Sequence, residues 1–183
     1  MLAFIEGRVV ENLGEGRIVL QAGDFGLIID MMSRQSASLT RGDDVKLYTC
    51  LHISPQEVKP SIFGFLQPEE RQIFEVLIKT QGVGPGMAKA LLEIGAARLV
   101  CALENEDIGV LTTVHGIGAK TARRLALELK GKLVKLTEKL PEAEVEVSVQ
   151  AEVTEALKSL GFRDSEIFSA LSSIKASGVS ATD

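Results

Sequence analysis

One stretch of this chain occurs twice, and the repeat constrains the fold more than any other feature. Leu77 to Leu92 reads L-I-K-T-Q-G-V-G-P-G-M-A-K-A-L-L, and Leu111 to Ala126 reads L-T-T-V-H-G-I-G-A-K-T-A-R-R-L-A. At an offset of 34 residues, Gly82 matches Gly116, Gly84 matches Gly118 and Ala88 matches Ala122, and Val83 and Ile117 fill the slot between the glycines. Self-similarity at a fixed spacing marks one supersecondary unit used again. The unit reads helix, Gly-apolar-Gly turn, helix, with a small Ala where two helices approach.

Glycine-rich turns ahead of helices often hold phosphate, so two nucleotide-binding readings have to be weighed. A dinucleotide fingerprint needs G-x-G-x-x-G after a strand. Here the glycines follow a helical pattern and the third comes one residue early. A Walker loop needs G-x-x-x-x-G-K-[ST], but in G-I-G-A-K-T an Ala separates Gly118 from Lys120. Both readings fail.

A helix-hairpin-helix fits instead. The first glycine lets the chain reverse, and the second lets backbone approach a ligand with no Cβ in the way. The next helix then starts with unpaired N–H groups and the positive end of its dipole, which suit a phosphate oxygen. Such contacts read the nucleic-acid backbone and are largely indifferent to base sequence. The candidate DNA-binding residues are Gly82, Val83, Gly84, Pro85 and Gly86 in the first hairpin, and Gly116, Ile117, Gly118, Lys120, Thr121, Arg123 and Arg124 in the second. The first hairpin has Pro85-Gly86 where a cation would help, and Lys89, one turn later, is its alternative cation. A single Gly-apolar-Gly is as readily a plain tight turn, and Lys120, Arg123 and Arg124 could form an ordinary solvated face. Duplication in register favours the nucleic-acid reading, with His115 as a turn residue.

Charge agrees once it is resolved along the chain. The net charge is −5. Residues 1–66 carry 6 basic and 8 acidic side chains, 67–137 carry 10 and 8, and 138–183 carry 4 and 9. Gly116 to Lys135 holds six basic residues against one acid, Glu128, a localised basic segment in an acidic chain. Cys50 and Cys101 are far apart and adjoin neither His52 nor His115 as ligand pairs. That argues against zinc and for a reducing, cytoplasmic setting. No run reaches the roughly 18 apolar residues of a membrane span, and Glu6 and Arg8 interrupt any leader-like start. No cofactor is expected.

Ahead of the repeat, Ala3–Val10, Arg17–Gln21, Phe25–Asp30, Val45–Ile53 and Ser61–Phe65 read as short strands separated by Gly-containing turns. Five such strands predict a small antiparallel barrel, with the OB type as one option. Pro68-Glu69-Glu70 opens a helical region. Leu136 to Gln150 alternates Glu with Val or Ala and reads as a solvated linker, with a short edge strand as the alternative. Ala151 to Ser173 carries two helical stripes around Gly161-Phe162. The predicted domains are a barrel at 1–66, a tandem helix-hairpin-helix domain at 67–136, a linker at 137–150 and a small helical domain at 151–183.

This order of parts resembles the RuvA family, the Holliday-junction-binding subunits of the bacterial branch-migration complex. The resemblance spans nearly the whole chain. It is carried by L-Y-T-C-L-H-I followed by I-F-G-F, by E-R-Q-I-F-E-V-L-I-K-T-Q-G-V-G-P, and by H-G-I-G-A-K-T-A-R-R-L-A-L-E-L-K. It implies an OB-like barrel that assembles tetramers, hairpins that hold four duplex arms, and a tethered UBA-like third domain that docks on the hexameric ATPase RuvB. It implies one tetramer, or two as an octamer, on a four-way junction, acting in recombination and repair. No catalysis by this chain follows, since RuvB hydrolyses ATP and the resolvase RuvC cuts strands. Leu157, Leu160 and Phe162 match the motor-binding surface.

Three departures from the family pattern stand out. An acidic pin of two adjacent carboxylates is matched here by Glu57-Val58, with Lys59 next. Gly86 and Ala119 stand where lysines are common. The family's third domain usually continues into a third helix beyond the position of Asp183, so the 151–183 domain is expected to be incomplete. Two rival readings are a general duplex-binding architectural protein and a helix-hairpin-helix repair enzyme such as a glycosylase. The enzyme would need a catalytic Lys or Asp beyond the hairpin, but Asp107 precedes the second hairpin and no other acid near it is placed for that chemistry.

Overall fold

Alternation of apolar and polar residues builds the first half of the chain into strands. The computed structural model of the chain describes residues 2–53 and 60–137. The strands are β1 (Phe4–Gly14), β2 (Arg17–Ala22), β3 (Phe25–Asp30), β4 (Asp44–Ile53) and β5 (Pro60–Phe65). They close into a barrel in the order β1-β2-β3-β5-β4, an OB-like arrangement. The sequence predicts an antiparallel barrel, and four of the five pairings are antiparallel while β3 and β5 run parallel. A closed ring with an odd number of strands cannot alternate direction throughout, so one neighbouring pair has to be parallel.

β1 is longer than its predicted span because it serves two partners. Phe4–Arg8 pairs with β4 and Arg8–Gly14 with β2, with register shifts between Val9 and Glu11 and between Asn12 and Gly14. Extra residues of this kind bend and twist a strand, which helps to close a small barrel. Ile5, Val9, Ile18, Leu20, Ile29, Met31 and Leu47 fill the interior. The pleat sends every second side chain of β2, Ile18 and then Leu20, inward.

Between β3 and β4 lies a four-residue helix, α1 (Ser33–Ser36), which the sequence analysis missed. Met31 belongs to the barrel core, and the next residue, Met32, belongs to a second core. That second core is shared with the helices α2 (Pro68–Leu77), α3 (Pro85–Glu93), α4 (Ala96–Glu104), α5 (Ile108–Thr112), α6 (Ala119–Leu129) and α7 (Val134–Thr137). Phe63 and Phe65 of β5 stack on Phe74 of α2, with ring centroids 4.9 and 5.1 Å apart, near the optimum for aromatic pairs.

Polar side chains reinforce this junction. The Glu70 carboxylate, fully buried on α2, accepts from Arg34 and from Gln35 of α1 at 2.5 Å each. On α3, Glu93 accepts the Ser33 N–H at 2.5 Å, and Lys89 reaches the carbonyls of Glu15 and Gly16 in the β1–β2 turn at 3.5 and 3.4 Å. The linker after Thr137 and the small helical domain expected at 151–183 lie outside the described residues.

Candidate nucleic-acid interface

The two glycine turns adopt the same backbone. Gly82 and Gly116 have φ of +74° and +86°, left-handed values that a side chain would strain. Gly84 and Gly118 are the N-caps of α3 and α6, at φ −84°, ψ 171° and φ −86°, ψ 167°. The hydrogen bonds repeat as well. Val83 N–H donates to Thr80 O and Ile117 N–H to Val114 O, both at 3.1 Å. Ala88 N–H donates to Gly84 O and Ala122 N–H to Gly118 O, both at 2.9 Å. Val83 and Ile117 are buried, which pins each turn to the core, and Ala88 and Ala122 are fully buried.

Packing does not require glycine at position 84 or 118. Neither has a positive φ, and a Cβ built on either would meet nothing within 4 Å. The same open space surrounds Gly86. These residues face outward with the first N–H groups of each helix, which have no intrahelical acceptor. Pro85 lacks an N–H, so α3 offers one donor fewer than α6.

The cations differ between the copies. Lys120 and Arg123 are exposed on α6, three residues apart and hence on one face, and neither is in an ion pair among the described residues. Thr121 is half-buried beside them. Arg124 leans back across the hairpins, where Nη1 donates to the carbonyl of Gln81, and its nearest acid is Glu128 at 4.0 Å. Lys89, the alternative cation of the first hairpin, is bonded to the barrel carbonyls described above. Sequence reasoning missed that use, because its acceptors lie more than 70 positions away. Lys130 is paired with Glu106 at 2.6 Å, and that hydrogen bond raises its pKa. His115 is exposed in the turn.

Other features have structural explanations. The Asp107 carboxylate accepts from the Val110 N–H at 3.1 Å, so it caps α5. An open cleft of about 650 Å³ on the barrel flank is lined by Glu6, Arg8, Asp44 and Lys46 among others. Its charges neutralise one another, Arg8 with Asp44 at 2.9 Å and Lys46 with Glu6 at 3.0 Å. The hydrogen bond from Arg8 holds the Asp44 carboxyl below its ordinary pKa. Among the described residues no group of three His, Cys, Asp or Glu side chains is placed to hold a metal ion. No helix there is long and apolar enough to cross a membrane. Glu57 and the motor-binding candidates Leu157, Leu160 and Phe162 lie outside the described residues.

Comparison with known proteins points the same way. Residues 1–64 match the family described as the RuvA N terminal domain, and residues 74–132 match the SAM-like Helix-hairpin-helix tandem family. The Holliday junction branch migration complex subunit RuvA of Herpetosiphon aurantiacus is 35% identical, over 100% of this chain and 93% of its own. The subunits of the same name from Gloeobacter violaceus and Acetivibrio thermocellus are 35% and 36% identical, each over 95% of this chain and 88% and 90% of their own.

Proposed function

The chain belongs to the RuvA family, and from that premise we propose that it binds four-way DNA junctions through phosphate contacts and positions a RuvB-type ATPase for branch migration. One observation carries the DNA-binding part. Two hairpins share one backbone conformation and present glycine N-caps into open space, beside the exposed cations Lys120 and Arg123. Two such turns grip two phosphates of one duplex arm. The contacting set is Gly82 to Gly86 in the first copy and Gly116 to Gly118, Lys120, Thr121, Arg123 and Arg124 in the second. Lys89 serves the barrel interface in this reading.

The chain works as a homotetramer, alone or as two tetramers enclosing the junction, so that four arms meet four hairpin pairs. It has no catalytic role of its own. ATP hydrolysis belongs to the motor, reached through Leu157, Leu160 and Phe162, and strand cutting belongs to a RuvC-type resolvase. The setting is cytoplasmic. Glu57 supplies one pin carboxylate per subunit, giving a weaker repulsive barrier at the crossover than a pair would. Unchanged junction opening in Glu57→Gln would remove that role.

The main reading is tested by competing a four-way junction against linear duplex at fixed salt, together with the mass of the assembly in solution. Preference for the junction by a four-copy assembly is expected. A monomer that binds duplex and junction alike would instead identify a general architectural protein.

A further inference from the structure

We propose that Arg124 is a positioning residue that locks the turn of the first hairpin to the helix of the second and so sets the spacing of the two phosphate grips. The proposal rests on the DNA-binding reading above and deepens it.

Three observations converge on Arg124. Its Nη1 donates to the carbonyl of Gln81, the residue just before the first hairpin glycine and 43 positions away in sequence. Its Nη2 lies over Gly82, where a Cβ would come within 3.1 Å of it. The equivalent glycine of the second turn, Gly116, has nothing within 4 Å of a Cβ position. The residue equivalent to Arg124 in the first copy is Ala90, 34 positions earlier, so this link runs one way only. The two turns are thus alike in backbone but not in surroundings, and among the described residues the first alone is held from outside by a side chain of the other hairpin.

Arginine suits this task for a physical reason. Its planar guanidinium carries five N–H donors in a fixed fork, so it can spend one on a carbonyl and keep others for an incoming phosphate. Lysine carries the same charge as a single point on a flexible stem and does not reproduce the fork. Charge and geometry can therefore be separated by substitution.

The experiment compares Arg124→Lys and Arg124→Ala in the full chain. Amide hydrogen exchange is measured without DNA, and four-way junction binding is measured over a range of salt. Both variants should show severalfold faster exchange in the segment 78–88, with residues 113–118 unchanged. Arg124→Lys should bind the junction about tenfold more weakly, as expected for losing a hydrogen bond to a charged group, while its salt slope stays near that of the parent. If Arg124→Lys matches the parent in exchange and affinity, and Arg124→Ala only lowers the log–log salt slope by about 0.9, Arg124 is a simple phosphate contact and the locking role is wrong. Faster exchange with unchanged junction binding in both variants would show that the link does not set the spacing of the grips and would overturn the positioning role, while leaving the hairpins as the proposed DNA-binding surface. A fall in thermal midpoint with exchange raised throughout 2–137 would mark a general folding defect and overturn the specific link.

Discussion

At the residue scale, the paired glycines separate stability from binding. Gly118 sits at φ −86°, ψ 167° with open space where a Cβ would go, so the folded chain accommodates alanine there without strain. Gly118→Ala should leave the thermal midpoint nearly unchanged, because the ~0.4–1 kcal/mol gained when alanine narrows the unfolded ensemble is offset by the poorer capping of α6 by alanine than by glycine. Junction affinity should fall, because the new methyl group stands where phosphate is proposed to approach. Gly116→Ala should lower stability, losing about 1–2 kcal/mol to its positive φ of +86°. Calorimetry and a junction-binding gel on the two variants check both halves, and equal binding by Gly118→Ala and its parent would show that nothing docks on that turn. The glycines were legible from sequence because each does its work locally. Arg124 and Lys89 were legible only as charges, since their acceptors lie 43 and more than 70 residues away and become neighbours only through the fold.

At the element scale, α3 and α6 are two versions of one helix with different duties. Their inner faces agree position by position. Leu91 matches Leu125 and Leu92 matches Ala126, all buried, which is why the repeat could be read as a packing unit. Their outer faces have diverged. α6 carries Lys120 in its first turn, where α3 carries Gly86 in open space. Gly86→Lys should therefore tighten junction binding and steepen the log–log salt dependence by about 0.9, the value for one added phosphate contact. A titration across salt concentrations measures it, and an unchanged slope would mean that α3 does not face the backbone. The barrel strands were visible in sequence from their alternation and their Gly turns. α1 was not, because four residues are barely one helical turn and show no periodicity. Its fold is fixed from outside, by Glu93 at its first N–H and Glu70 on its side chains.

At the scale of the molecule, exposed apolar side chains gather on the barrel. Phe25 and Ile28 of β3 are 73% and 54% exposed, and Ile53 of β4 is 64% exposed. Apolar surface left outward on a folded unit marks association, and a second copy of the chain is the partner proposed above. Replacing Phe25 and Ile28 together by Asp should reduce the assembled mass while circular dichroism stays the same, with weaker junction binding as the avidity of several arms is lost. Light scattering reads the first effect, and an unchanged mass would place the subunit contacts elsewhere. The docking of α3 has a mechanical consequence. The helix whose N-terminus faces the proposed DNA is fastened to the barrel by Lys89 and Glu93. A duplex drawn past the hairpins would push on α3, and that load would pass sideways into α1 and the β1–β2 turn as well as along the peptide from Phe65 to Pro68. The helical layer would then act as a lever braced at two points, able to resist torque that a single tether would let swing.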